Sequence, residues 1–174
     1  FHGAADKAFN NIITNINALK NHEADAVIVD CSTCGEALKN EYPSMIEAHG
    51  LNPFDANTNS SKVMDILSFI DQHFDLLEFD LNFKKKLSVT YHAPCHTRNS
   101  FGSNTLAEKL LSKLPFVNYK QASDVNECCG GGGTLFYEYP DVSKKMIDKK
   151  IKNAKAVQAS IWITDCPVCR MNLS

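Results

Sequence analysis

The chain has 174 residues, 44% of them hydrophobic and 22% charged, and carries a formal net charge of −2. That is the length of about one domain with a real core. With only two arginines, Arg98 and Arg170, and no basic block, nothing in it is suited to nucleic acid. No apolar run approaches the ~20 residues of a membrane span, and the N-terminus lacks a signal-peptide plan. Seven cysteines, an odd number in a chain of ordinary composition, argue against a secreted disulfide scaffold and for the cytoplasm.

In chain order, Phe9, Ile12, Ile13, Ile16 and Leu19 recur at helical spacing. Residues 26–29 read as a buried strand, and 35–45 as a helix that starts just after Cys34. Residues 52–61, rich in Asn, Ser and Thr and containing Pro53, read as a loop. Ser60 or Ser61 caps the next helix in this reading, with Val63, Ile66, Leu67, Ile70 and Phe74 as its apolar stripe. A polar stretch containing Lys84-Lys85-Lys86 leads to a strand at 87–91. Then follow a helix at 105–114, a strand at 116–119, a helix at 140–157 and a strand at 161–164. This alternation predicts an α/β fold, a mainly parallel sheet with flanking helices. Ligands in such sheets gather at the carboxyl ends of the strands. Cys31, Cys95 and Cys166 all fall shortly past a predicted strand, so one pocket could collect them.

The chain repeats itself. Residues 24–34 and 159–169 both read as a short strand ending in Asp-Cys-x-x-Cys, at Asp30-Cys31 to Cys34 and at Asp165-Cys166 to Cys169. The offset holds upstream without a gap, setting Ile12 on Ile147, Ile16 on Ile151, Asp6 on Asp141 and Phe1 on Phe136. A constant offset indicates a duplicated unit. The doubled cysteine Cys128-Cys129 projects to positions before Phe1, so the first repeat is expected to be truncated and the chain to be a C-terminal piece of a longer protein. The expected division is 1–83, the C-terminal part of the first repeat plus a linker, and 84–174, the second repeat.

The cysteines carry the chemistry. Cys128-Cys129 runs into Gly130-Gly131-Gly132-Gly133, half of the glycine in the chain, which suits a backbone passing close to something bulky. Amides after the pair could form a nest aimed at an anionic centre. A phosphate loop lacks support, because neither a Gly-Lys-Ser/Thr ending nor a G-x-G-x-x-G context is present. Cys95 lies between His92 and His96, either of which could ligate or donate a hydrogen bond to sulfur, or serve structure alone. The two Cys-x-x-Cys pairs could be redox dithiols, but two occurrences favour metal ligation. Five cysteines in the second repeat exceed the four ligands of a structural zinc and suit an iron–sulfur cluster better.

The order Cys95, Cys128-Cys129-Gly130, Cys166-x-x-Cys169 resembles the cysteine-rich CCG domain. That domain occurs, usually twice, in heterodisulfide reductases and in the iron–sulfur subunits of glycolate oxidase, lactate-utilisation proteins and anaerobic glycerol-3-phosphate dehydrogenase. Phe1-His2-Gly3-Ala4-Ala5-Asp6-Lys7-Ala8, Met64-Asp65-Ile66-Leu67-Ser68-Phe69-Ile70 and Tyr91-His92-Ala93-Pro94-Cys95-His96 are similar to the glycolate oxidase and lactate-utilisation group. The resemblance implies an electron-transfer subunit of a 2-hydroxy-acid oxidase complex, cytoplasmic or peripheral to a membrane through that complex. Substrate oxidation would fall to a flavin-containing oxidase subunit, and a ferredoxin-like domain would precede the CCG domains in the full-length protein. It also implies a [4Fe–4S] cluster, non-cubane in the heterodisulfide reductase relative, held by Cys95, Cys128, Cys129, Cys166 and Cys169 beside Gly130 and Gly131. The first repeat keeps only Cys31 and Cys34, which could take zinc or oxidise together. The alternatives are a zinc-binding interaction domain, a thiol–disulfide enzyme and a heterodisulfide-reductase-like catalyst.

Overall fold

The computed structural model describes residues 3–20, 22–79, 85–102 and 104–174, so Phe1, His2 and Lys84 of the motifs above lie outside the described residues. The chain divides into two compact units, residues 1–66 and 67–174.

In the first unit, helix α1 (Ala5–Lys20) turns the predicted stripe inward. Ile12 and Ile16 are buried with Ile46 and Ala56, and Phe9, Ile13, Tyr42 and Met45 pack against them. Strand β1 (Val27–Val29) follows. Helix α2 (Ser32–Glu36), a π-helical turn (Ala37–Glu41) and helix α3 (Tyr42–Ala48) then run on from one another. The helical run therefore begins before Cys34 rather than after it. Cys31 is its extended N-cap, and its Sγ accepts the Cys34 N–H at 3.4 Å.

Residues 54–62 overturn the loop expectation, because they form helix α4 (Phe54–Lys62). Asn52 Oδ1 accepts the Phe54 N–H at 3.0 Å at its start. Thr58, Ser60 and Ser61 turn their hydroxyls back onto carbonyls within the helix, which satisfies residues otherwise prone to compete with it. Burial of Ala56 against Ile12 and Ile16 supplies the tertiary contact that propensity alone does not contain. Ser60 and Ser61 thus lie inside α4 and cap nothing after it. The next expected helix is also corrected at its start. Val63 to Asp65 form strand β2 (Val63–Asp65), parallel to β1 with Val27 opposite Val63, and helix α5 (Ile66–Gln72) begins only afterwards.

In the second unit, β3 (Leu87–Tyr91), α6 (Asn104–Lys113), β4 (Val117–Tyr119), α8 (Pro140–Ala156) and β5 (Ile161–Ile163) follow the predicted alternation, and two further helices, α7 (Leu135–Glu138) and α9 (Pro167–Leu173), are added after the glycine run and at Cys166. The sheet has the order β4-β3-β5, and both pairings are parallel, with Leu87 opposite Val117 and Val89 opposite Ile161. Central β3 is buried from Val89 to Tyr91, and the core gathers Val89, Tyr91, Ala93, Ala107, Leu111 and Val125. β3 reads Leu-Ser-Val-Thr-Tyr, and the alternation of apolar and polar residues with β-branched Val and Thr made it legible as a strand. No helix among the described residues is long and apolar enough to cross a membrane.

Ile16→Ala should cost about 2–5 kcal/mol, because it removes the contact that docks α4. The urea midpoint followed by far-UV circular dichroism reads this, and a loss below about 1 kcal/mol would mean that α4 does not depend on that contact.

Candidate metal centre

Three segments leave the carboxyl edge of the second sheet and are stitched together there by backbone. His92 N–H donates to Ile163 O at 2.9 Å, joining the end of β3 to the end of β5. Ala93 N–H donates to Val125 O at 3.2 Å, joining the same segment to the approach to Cys128. Asp165 adds a side-chain clamp. Its two carboxylate oxygens each accept a hydroxyl at 2.6 Å, one from Tyr91 and one from Thr97. Tyr91 precedes His92, and Thr97 follows Cys95 by two residues, so Asp165 holds the Cys95 segment against its own neighbour Cys166.

Helix α9 begins as α2 does. Cys166 is its extended N-cap, with Pro167 in the first turn and Sγ accepting the Cys169 N–H at 3.5 Å. Both Cys-x-x-Cys pairs thus use one sulfur as a helix cap, and the spacing of three is the spacing of that cap.

The result is a buried cluster of Cys129, Cys166 and Cys169. Sγ of Cys129 and Sγ of Cys169 are 3.1 Å apart, a contact well beyond a disulfide bond. His92, 1% exposed, brings a ring nitrogen within 4.8 Å of both sulfurs. Neither of its ring nitrogens has a hydrogen-bond partner. A buried imidazole without a partner is costly, and the sulfurs are what it faces.

The glycines let the backbone into this site. Gly130 has φ +78°, and a Cβ there would come within 3.3 Å of Met146 and of the Ser143 backbone. A Cβ on Gly131 would come within 3.0 Å of Asn172. The Gly130 N–H donates to Cys128 Sγ at 3.3 Å, which is the amide-to-sulfur contact expected of a nest. Around it, Ser143 Oγ donates to Gly130 O at 3.0 Å, and Asn172 Nδ2 donates to Cys129 O at 2.8 Å and to Ser143 Oγ at 3.3 Å.

The thiols share charge unevenly. Cys129 is held far below the ordinary thiol range by hydrogen bonds from the Cys128 and Cys169 thiols. Cys166 is lowered to about 6, chiefly by Cys169 and with help from backbone N–H groups. Cys169 is pushed up by Cys129 and Cys166, and Cys128 is pushed up by Cys129 and by burial. The shifts oppose one another because neighbouring thiols cannot all ionise without a cation. Such a site attracts a metal.

Of the other residues singled out, Cys95 is half-buried and is among the groups that raise Cys128. Cys128 is exposed. His96 is half-buried at the start of a π-helical turn (Thr97–Phe101) and is not in the His92, Cys129, Cys169 group. Cys31 and Cys34 belong to the first unit, at the end of β1, with Cys34 exposed. Sequence reasoning gave no role to Tyr91, Thr97, Ser143, Lys150 or Asn172. Two signals pointed to the frame. An Asp stands before both Cys-x-x-Cys pairs, and polar Ser143 and Lys150 share the buried stripe of α8 with Ala154.

The donor set suits a metal of soft character: buried thiolates, an unpartnered imidazole and a backbone cradle that a side chain would fill. The family model described as "Cysteine-rich domain" (CCG) matches residues 1–39 and 89–174. The chain is 30% identical over 166 residues to a subunit of the dihydromethanophenazine:CoB--CoM heterodisulfide reductase of Methanosarcina barkeri, covering 92% of this chain and 38% of that one. It is 27% identical over 159 residues to lactate utilization protein A of an Exiguobacterium species, covering 91% and 63%. It is also 27% identical over 159 residues to the probable glycolate oxidase iron-sulfur subunit of Bacillus subtilis, covering 91% and 35%. The chain spans less than two thirds of each of these relatives. With its doubled cysteine, glycine run and Cys-x-x-Cys matched in order across most of its length, this chain belongs to the cysteine-rich CCG domain family.

Proposed function

We propose that the chain is the CCG part of an iron–sulfur electron-transfer subunit in a 2-hydroxy-acid oxidase complex of glycolate or lactate type. The observation that carries this is the buried meeting of Cys129 and Cys169 at 3.1 Å with the unpartnered imidazole of His92. The names of the relatives, lactate utilization protein A and glycolate oxidase iron-sulfur subunit, support the choice of complex.

In this reading Cys95, Cys128, Cys129, Cys166 and Cys169 hold a [4Fe–4S] cluster, with a non-cubane cluster as the variant that five thiolates allow. Once bound, the cluster supplies one-electron redox chemistry. The residues of the chain do the rest. Gly130 and Gly131 bring amides against sulfur where a side chain would not fit. His92 serves as a ligand or as a hydrogen-bond donor to sulfur, and His96 stands outside it. Asp165 and Asn172 hold the ligand loops, and burial of three sulfurs keeps water from them. Substrate oxidation belongs to a flavin-containing partner protein, and the complex is cytoplasmic, with attachment to a membrane only through its partners.

A second reading has its own observation. His92, Cys129 and Cys169, together with neighbouring Cys166, form a three-sulfur, one-nitrogen set that suits a structural zinc. Cys31 and Cys34 would then be a second, partial zinc site.

Chain purified without oxygen should contain about four irons and four acid-labile sulfides. About one zinc with no sulfide would replace the first reading with the second. Cys129→Ser should abolish most iron binding, whereas Cys34→Ser should leave it at the parent level; equal loss from both would refute separate sites. In the metal-free folded chain, iodoacetamide should label the exposed Cys34 first and spare the buried Cys129, Cys166 and Cys169, as read by mass spectrometry. Uniform labelling of all seven cysteines would show that the thiol cluster does not form without metal.

A further inference from the structure

Lysine is almost never fully buried, yet Lys150 on α8 is 1% exposed. Its ammonium donates to the Asp124 carbonyl at 2.7 Å and faces Asp124 Oδ2 at 3.7 Å. Asp124 is 7% exposed, and that Oδ2 accepts no hydrogen bond. The pair is therefore buried and incompletely satisfied. A buried ion pair of this kind is weak ground for stability, since hydrophobic residues of similar volume generally do as well or better. Something other than stability has to account for it.

Its place in the fold supplies the reason. Asp124 lies four residues before Cys128, at the start of the segment that delivers the doubled cysteine. The same face of α8 holds this segment at its other end. Ser143, two turns before Lys150, donates to Gly130 O, and Met146 lies against Gly130. Lys149 pairs with Glu127 at 2.7 Å on the solvent side. The helix thus lies along residues 124–130, and its one buried cation sits beneath the segment that ends in the thiolates. Burial lowers the pKa of Lys150, while Asp124, Glu127 and Cys129 draw it back up, so the ammonium and the sulfur sense one another.

We propose that Lys150 is an electrostatic positioning residue for the cysteine site: with Asp124 it fixes the segment carrying Cys128 and Cys129, and its buried charge favours the more negative, reduced state of the bound cluster. The inference rests on the iron–sulfur reading given above. Its redox content is simple. One electron enters the cluster from an external one-electron donor, no bond in Lys150 is made or broken, and the fixed cation lowers the energy of the added charge. In a poorly screened interior such a term persists over the two turns of helix between Ser143 and Lys150.

The test is the midpoint potential of the cluster-loaded chain, poised with dithionite and mediators at pH 6.5 and read by electron paramagnetic resonance. Lys150→Met should reduce the reduced-to-oxidised ratio at a fixed poise about tenfold, which is a fall of about 59 mV for one electron. Asp124→Asn removes the opposing charge and should shift the potential the other way. Lys150→Arg should stay near the parent value. Opposite shifts from Met and Asn support the proposal, because mere loosening of the segment would move both potentials in one direction. Shifts of the same sign, or none, overturn it. Should Lys150→Met fail to fold, Asp124→Asn and Lys150→Arg decide by the same signs. A parent chain that takes up no iron and sulfide overturns the iron–sulfur reading and this inference with it, whereas a loaded chain indifferent to these substitutions overturns this inference alone.

Discussion

Everything at the candidate centre follows from one constraint: thiols and an imidazole are gathered out of water without enough polar partners to satisfy them. Cys129, Cys166 and Cys169 are buried together, and His92 faces them with neither ring nitrogen paired. In an interior of low dielectric, several sulfurs at this separation cannot all ionise. Their pKa values are driven apart instead, with Cys129 and Cys166 drawn down and Cys128 and Cys169 pushed up. A cation of soft character resolves the conflict at once, replacing the protons and taking the unshared electron pairs.

Holding such a centre open requires a frame that does not itself rely on the sulfurs. The parallel sheet provides the first part, since its strands all end on one edge and deliver their loops to one place. Backbone bonds from His92 to Ile163 and from Ala93 to Val125 then join the three loops. Asp165, Asn172 and Ser143 close the remaining gaps, each satisfied by groups on a different loop or helix from its own. The two carboxylate oxygens of Asp165 are satisfied by neutral hydroxyls, which brings no opposing cation next to Cys166. On the other side, Lys150 places a positive charge under the Cys128-Cys129 segment. The polar frame is thus asymmetric in charge.

The central strands, the long helices α1, α6 and α8, and the order of the cysteines were legible because each is a local pattern with a strong physical signature. The stripe from Phe9 to Ile16 matched the helical period, and β3 read as a strand from its alternating apolar positions Leu87, Val89 and Tyr91. Residues 54–65 were not legible. Asn, Ser and Thr favour turns when only their neighbours are considered, and the burial of Ala56 against α1 lies far away in the chain. Val63 continued an apparent helical stripe, and only its pairing with Val27 makes it a strand. Val, with its branched side chain, fits either assignment until a partner strand exists.

The chain by itself determined which atoms are available for chemistry. The spacing of Cys166 and Cys169 is that of a capped helix start, and the glycines after Cys129 remove the side chains that would block a close approach. These are properties of neighbouring residues and need no partner from elsewhere. Only the tertiary structure decided that Cys129 meets Cys169 from a distant segment, that His92 lies within 4.8 Å of their sulfurs, and that Lys150 is buried with Asp124. The physical reason is common to all three. Burial and the pairing of charges are relations between distant segments, and a sequence states the members of such a relation without stating that they touch.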